Sequence, residues 1–217
     1  FQLINSAIRD CTATIGSGGG LYIYTWNTNV TVLNTTISRC TSTSKGGAMF
    51  LFQYNDGVEI YNSTLEHCYA IKFGGCFEAM YNNQELYFRD TAFTNCSASL
   101  HGGGINLDGN NHNPVVSHCS FIDCNGAQAG GGVGFVGVHE NAIIEWSTFT
   151  RCQAYMGGSV FFGQYNVNAV VSNSNFTDSF AINGGGIAFY SNNQNISVIG
   201  VHVEDAIASA MGGVRIL

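Results

Sequence analysis

Cys96, His101 and the glycines at 102–104 fall within one short stretch, FTNCSASLHGGGINL. A thiol, an imidazole five residues later and a run of glycine N–H groups are the residue types of a nucleophile, its base and an oxyanion loop. Three further sets have types suited to chemistry. His112, His118, Cys119 and Cys124 are ligands that zinc favours, although their spacing matches no usual zinc pattern. Residues 132–137 read GVGFVG, the G-x-G-x-x-G of a dinucleotide loop, which requires a helix after it. Asp178, Glu204 and Asp205 form the acidic group from which a polysaccharide-cleaving enzyme would draw an acid, a base or a calcium ligand.

All four sets sit on one repeat. Paired glycines begin at Gly18, Gly46, Gly74, Gly102, Gly130, Gly157, Gly184 and Gly212, 27 or 28 residues apart. Cys11, Cys40, Cys68, Cys96, Cys124 and Cys152 keep the same beat, and Ser179 and Ala206 then take their place. An apolar residue stands three positions before each, from Ile8 through Phe93, Phe121 and Phe149 to Val203. The units fill residues 1–217 without a linker, as one domain.

The shape of a unit follows from its alternation. After each glycine pair, apolar residues recur at every second position, as in Met49 and Leu51 or Ile105 and Leu107, which marks a strand. A turn rich in Asn, Gly and Asp follows, then a second short strand (VEIY, ELYF, AIIE), then a third through Phe-x-x-Cys. Three short strands repeated in register predict an all-β fold: a single-stranded right-handed parallel β-helix of about eight coils, stacked about 4.8 Å apart. The column Asn5, Asn34, Asn62, Asp90, His118, Trp146, Asn173 and Gly200 has the residues that tolerate a left-handed backbone, so a bend is expected there, with Trp146 as the exception.

The Phe-x-x-Cys and GGAM or GGGI elements (46–49, 102–105, 184–187) resemble the F-x-x-N and G-G-A-I repeats of the chlamydial polymorphic outer-membrane proteins. The resemblance covers all the units through short, degenerate motifs, with Cys mostly replacing Asn. It implies a β-helical surface adhesin fold.

Within the repeat, the opening motifs lose their chemical reading. Cys96 is one rung of a thiol column. The equivalents of His101 are Lys45, Phe73, Ala129, Met156, Asn183 and Met211, which share no requirement for a base. The GVGFVG glycines belong to the repeat and precede another strand. Buried Cys is a good small filler, and free stacked thiols are expected in preference to rung-to-rung disulfides. Along the column before the thiols, Asp123, Arg151 and Asp178 read as mutual charge compensation between rungs. No catalytic residue, metal or cofactor is assigned.

Charge and composition narrow the partners. A net charge of −7 with only seven Lys and Arg offers no basic stripe, so nucleic acid is not expected as a partner. No apolar run suggests a membrane span. Six N-glycosylation sequons, at Asn29, Asn34, Asn62, Asn95, Asn175 and Asn195, lean toward a secreted chain. Asn29 and Asn195 share a turn column suited to surface glycans, whereas an inward amide ladder at Asn34 and Asn62 would exclude them.

The chain opens without Met or a charged-then-apolar leader, so a processed product or a segment of something longer is expected. Phe1, Leu3 and Ile4 at one end, and Val214, Ile216 and Leu217 at the other, prolong the apolar columns. End-to-end stacking on flanking repeats or on further copies is therefore expected. The leading expectation is a non-enzymatic, extracellular or cell-surface structural rod. The alternatives are an adhesin or glycan-binding module, with Tyr22, Trp26, Tyr54 and Tyr165 as sugar-stacking rings, and a polysaccharide lyase or glycoside hydrolase.

Overall fold

The computed structural model describes residues 1–216, with the backbone alone described at Met211 and Val214–Ile216. Every strand pairs in parallel with its equivalent in the next coil, so the chain is a parallel β-helix. Each coil runs through four sheets, not three. In one coil the strands are Met49–Gln53, Asp56–Tyr61, Thr64–Glu66 and Tyr69–Ala70. The fourth strand, immediately after the thiol, spans only two residues in the early coils, too short for alternation to reveal it.

Register pairs like with like: Leu65 with Ile37 and Phe93, then Phe93 with Phe121, Phe149 and Phe176 in succession. The four phenylalanine rings stack at 4.8, 4.7 and 4.8 Å with planes within 6°. That separation matches the strand spacing of about 4.8 Å, so the rings pack without bending the backbone. Burial of each such ring contributes on the order of 2–3 kcal/mol. A second stack, Phe135, Phe162 and Phe189, lines the first sheet at 4.6 and 4.9 Å.

Corners explain the polar columns. The bend column is left-handed throughout, from Asn5 (φ 50°) to Gly200 (φ 61°), and Trp146 (φ 49°) conforms. Two further corners behave alike: one at Trp26, Tyr54, Asn82, Tyr165 and Asn192, the other at Asp10, Arg39, His67, Asn95, Asp123, Arg151, Asp178 and Asp205. At each corner the following residue points inward, and its N–H turns away from the sheet ladder. The same residue of the next coil receives that N–H through its side chain. Asn27 N donates to Asn55 Oδ1 (3.0 Å), Thr35 N to Ser63 Oγ (3.1 Å) and Cys40 N to Cys68 Sγ (3.3 Å). Buried backbone donors need partners, so the helix carries an amide and a hydroxyl ladder inside two of its corners, and at the third a thiol receives the Cys40 N–H. Where His139 replaces Asn in the amide column, burial lowers its pKa to about 4. The neutral ring bridges the Asn111 N–H (3.4 Å) and the Leu107 carbonyl (3.1 Å).

The inward amide ladder is therefore not at Asn34 and Asn62. It runs through Asn27, Asn55, Asn83 and Asn111, with Asn166 and Asn193 beyond His139. Asn5, Asn34 and Asn62 form a second ladder that faces outward and is exposed, because the left-handed residue itself points away from the core.

The glycine pair closes the fourth corner. Its first member is left-handed, as at Gly102 (φ +63°), where a β-carbon would collide with the Ile105 carbonyl. A β-carbon on the second, Gly103, would meet the Gly131 carbonyl and the backbone of Asn125.

Candidate functional site

The opening stretch contains no nucleophile. Cys96 is disulfide-bonded to Cys76, with Cα atoms 5.4 Å apart and both residues fully buried. This corrects the expectation of free stacked thiols at that rung, and the bond is not rung to rung. Cys76 lies in the column Gly20, Ala48, Cys76, Gly104, Gly132, Ser159 and Gly186, which faces the thiol column 20 residues later across the core. Ser159 and Ser179 are the equivalent pair, their hydroxyls 2.7 Å apart. Cys11, Cys40, Cys68, Cys124 and Cys152 remain free thiols, and so does Cys119, a member of the hydroxyl column. Burial pushes the Cys152 thiol well up and that of Cys119 to about 12. Burial and a raised pKa leave those two thiols inert.

The other motifs separate. His118 points outward while Cys119 is buried, and His112 pairs with Glu140 at 3.3 Å, so the set does not converge. Among the described residues, no group of three or more His, Cys, Asp or Glu side chains is placed to hold a metal ion. Residues 132–137 contain the strand Val133–Val136 of the first sheet. In the charge column, Arg151 grips Asp123 through two hydrogen bonds (2.7 and 2.8 Å) and Arg39 grips Asp10 likewise (2.6 and 2.9 Å). Those bonds hold both carboxyls below the usual range. Asp178, Glu204 and Asp205 are exposed, with His202 at 3.5 Å from Glu204.

One polar cluster escaped the sequence reading. Glu78 and Asn106 alternate with inward residues of the first sheet, so they read as solvent-facing, yet both are fully buried. The column Lys45, Phe73, His101 and Ala129, bridged strand to strand, forms the adjoining edge. His101 stacks on Phe73 at 5.4 Å, and Lys45 Nζ lies 5.0 Å from the Phe73 ring centre and 3.9 Å from Asp108. Neither Glu78 oxygen has a protein hydrogen-bond partner, nor does either polar atom of the Asn106 amide, nor His101 Nδ1. Burial drives the Glu78 pKa well above the carboxylate range, against the pull of Lys45, and burial lowers that of His101. The Glu78 carboxyl is thus shut away from solvent in surroundings that favour its protonated form.

The accessible site lies at the first corner. Trp26 and Tyr54 stack in parallel at 4.6 Å and 10°, and with Thr28, Asp56, Asn82 and Gln84 they line a cleft of about 260 Å³. Beside them Tyr24 stacks on Phe52 at 5.4 Å and Tyr22 packs against Phe50 at 5.1 Å. Of the expected rings, Tyr165 stands apart on a later coil at 52% exposure.

All six sequon asparagines are exposed. Asn195 belongs to an outward amide ladder with Asn113, Asn141 and Asn168 (2.8 to 3.1 Å). At the ends, Phe1 is 58% exposed and Leu3 packs partly against the core. Ile216 lies in a strand paired to Phe189, its side chain not described, and Leu217 is outside the described residues. In comparison with known proteins, no protein family, curated protein or solved structure matches this chain.

Proposed function

We propose that this chain is a non-enzymatic structural rod of extracellular or cell-surface architecture. The observation that carries the reading is the uninterrupted core: side chains of one type stack through successive coils, with internal amide and hydroxyl ladders satisfying the corners. A solenoid whose neighbouring coils share ring stacks and backbone ladders resists bending and transmits load along its axis. The Cys76–Cys96 disulfide supports an oxidising compartment, and six exposed sequons are compatible with glycosylation there. The likeness of the repeats to those of the chlamydial surface proteins belongs to the same reading. Stacking on flanking repeats or on further copies would cover the apolar edge at Phe1 and Leu3.

Sedimentation and electron microscopy of the 217-residue chain test this, with and without a charged, proline-containing extension after Leu217. Rods that join end to end, and cease to do so with the extension, are expected. A chain that stays monomeric at about 1 mM, far above usual assembly constants, overturns stacking on further copies. Release of new ends from a polyuronide or glucan panel overturns the non-enzymatic reading.

A further inference from the structure

Trp26 and Tyr54 hold φ of 61° and 54°. Bulky residues are rare and strained in that region, whereas Asn and Gly are at ease. The aligned Asn82 and Asn192 turn the same corner with φ of 57° and 56°. The turn therefore does not need the rings. The core does not need them either, since Trp26 is 72% exposed and Tyr54 40%.

The rings present a flat surface beside polar groups. Trp26 covers one face of Tyr54. The other face looks along the rod toward the coil of Asn82, and the neighbouring Tyr81 ring is turned over Gly109 instead. The opposite wall is Thr28, Asp56 and Gln84, which pair in register at the start of the second sheet and are exposed. The floor is Asn55, held in the amide ladder by hydrogen bonds with Asn27 on one side and Asn83 on the other. Three coils span about 10 Å, room for a short oligosaccharide segment.

We propose that this corner cleft binds a neutral pyranose chain. A sugar's C–H face stacks on Tyr54, the Asp56 carboxylate accepts from hydroxyls, and the Asn82 and Gln84 amides both donate and accept. Asp56 in the wall and a net charge of −7 disfavour uronates and sulfated sugars. A quaternary ammonium ion is best held by rings on several sides, and this stack offers one open face.

The chain has two tryptophans, so Trp146→Phe leaves Trp26 as the sole indole reporter beside the cleft. Hexasaccharides of β-1,4-glucan, β-1,3-glucan and mannan are titrated against that variant by fluorescence and against the parent by calorimetry. At least one is expected to bind saturably and to perturb Trp26 emission. Tyr54→Asn, which the corner accommodates at Asn82, should weaken binding by about tenfold with a Tm no lower than the parent's, and Asp56→Asn should weaken it similarly. Three results overturn the proposal: no saturable binding of any hexasaccharide, a Tyr54→Asn protein that binds like the parent, or preferential binding of choline or of an oligogalacturonate. Binding is read on single chains, so its outcome is separate from that of the assembly experiment.

Discussion

Replacing Glu78 by Gln should stabilise the rod at neutral pH and leave it nearly unchanged in acid. Glu78 is fully buried with neither oxygen hydrogen-bonded to protein, and Lys45, the nearest cation, is shared with Asp108. Burial raises its pKa well above the free value of about 4.3. The sign is opposite to that of a salt-bridged carboxylate. Between the unfolded and folded pKa the native state holds one more proton, so stability falls as pH rises, by about 1.4 kcal/mol per unit. Below about pH 4.3 the group is neutral in both states and contributes no slope. Glutamine is isosteric and uncharged, so the difference between Glu78→Gln and the parent should open at that pH and widen at the same rate up to the folded pKa. Urea unfolding followed by circular dichroism at closely spaced pH values measures it. Asp108 and His101 titrate nearby in both proteins, so their terms largely cancel in the difference. A difference that stays flat from acid to neutral pH would show that burial does not shift Glu78, and one that shrinks as pH rises would show it ionised and paired with Lys45. A variant less stable at every pH would refute the reasoning altogether.

Three further outcomes test the ladders. Asn83→Leu removes the oxygen that receives both the Asn55 N–H and its side-chain amide (3.0 Å each) and should cost about 3 kcal/mol by thermal melting; an unchanged melt would mean the amide column is not structural. Cys96→Ser opens a cross-link spanning 20 residues and should lose about 3 kcal/mol, whereas Cys11→Ser at the half-buried first rung should change stability by less than about 1 kcal/mol. Equal effects at the two positions would contradict the special place given to Cys96. Ser159→Cys combined with Ser179→Cys should create a second cross-core disulfide, because those hydroxyls already touch at 2.7 Å. Thiol titration of the unfolded, unreduced double variant should find no more free thiols than in the parent, and two extra thiols would show that the columns do not face each other there.

The repeat made the fold legible because every coil restates it. Glycine, thiol and phenylalanine columns at 27- to 29-residue spacing leave little choice but parallel stacking in register. What stayed hidden has physical causes. A two-residue strand such as Thr41–Ser42 cannot display alternation, so the fourth sheet was missed. Two asparagine columns compete for the inward ladder, and the denser one, Asn27, Asn55, Asn83 and Asn111, carried the better signal. Glu78 and Asn106 read as exposed because alternation says which side of a strand a residue is on, not whether another part of the coil covers that side. Cys76 sits outside the thiol column, so its partnership required seeing that columns 20 residues apart face each other. The joint appearance of Ser159 and Ser179 was the available hint.

In a stacked solenoid the prevailing residue of a column reports what the backbone needs, and a departure from it reports something else. Trp26 and Tyr54 stand at a corner that Asn82 and Asn192 turn without a ring, and they outline the open cleft. Cys76 departs from a glycine column and Glu78 from the column of Tyr22, Phe50 and Phe161. These last two are neighbours: Cys76 immediately precedes the strand Phe77–Met80 that carries Glu78. The coil that bears the unpartnered carboxyl is thus the coil tied across the core to Cys96. Gln84 and Asn82 of the cleft follow on that same coil, a few residues past Met80. A cross-link at its start restrains the segment whose buried, unpartnered carboxyl would otherwise favour local opening, and so it keeps the cleft wall in register. By this argument Cys96→Ser should loosen the cleft as well as the core, and Glu78→Gln should tighten both. Hydrogen exchange at the Gln84 and Asn82 amides separates this local effect from a uniform loss of stability.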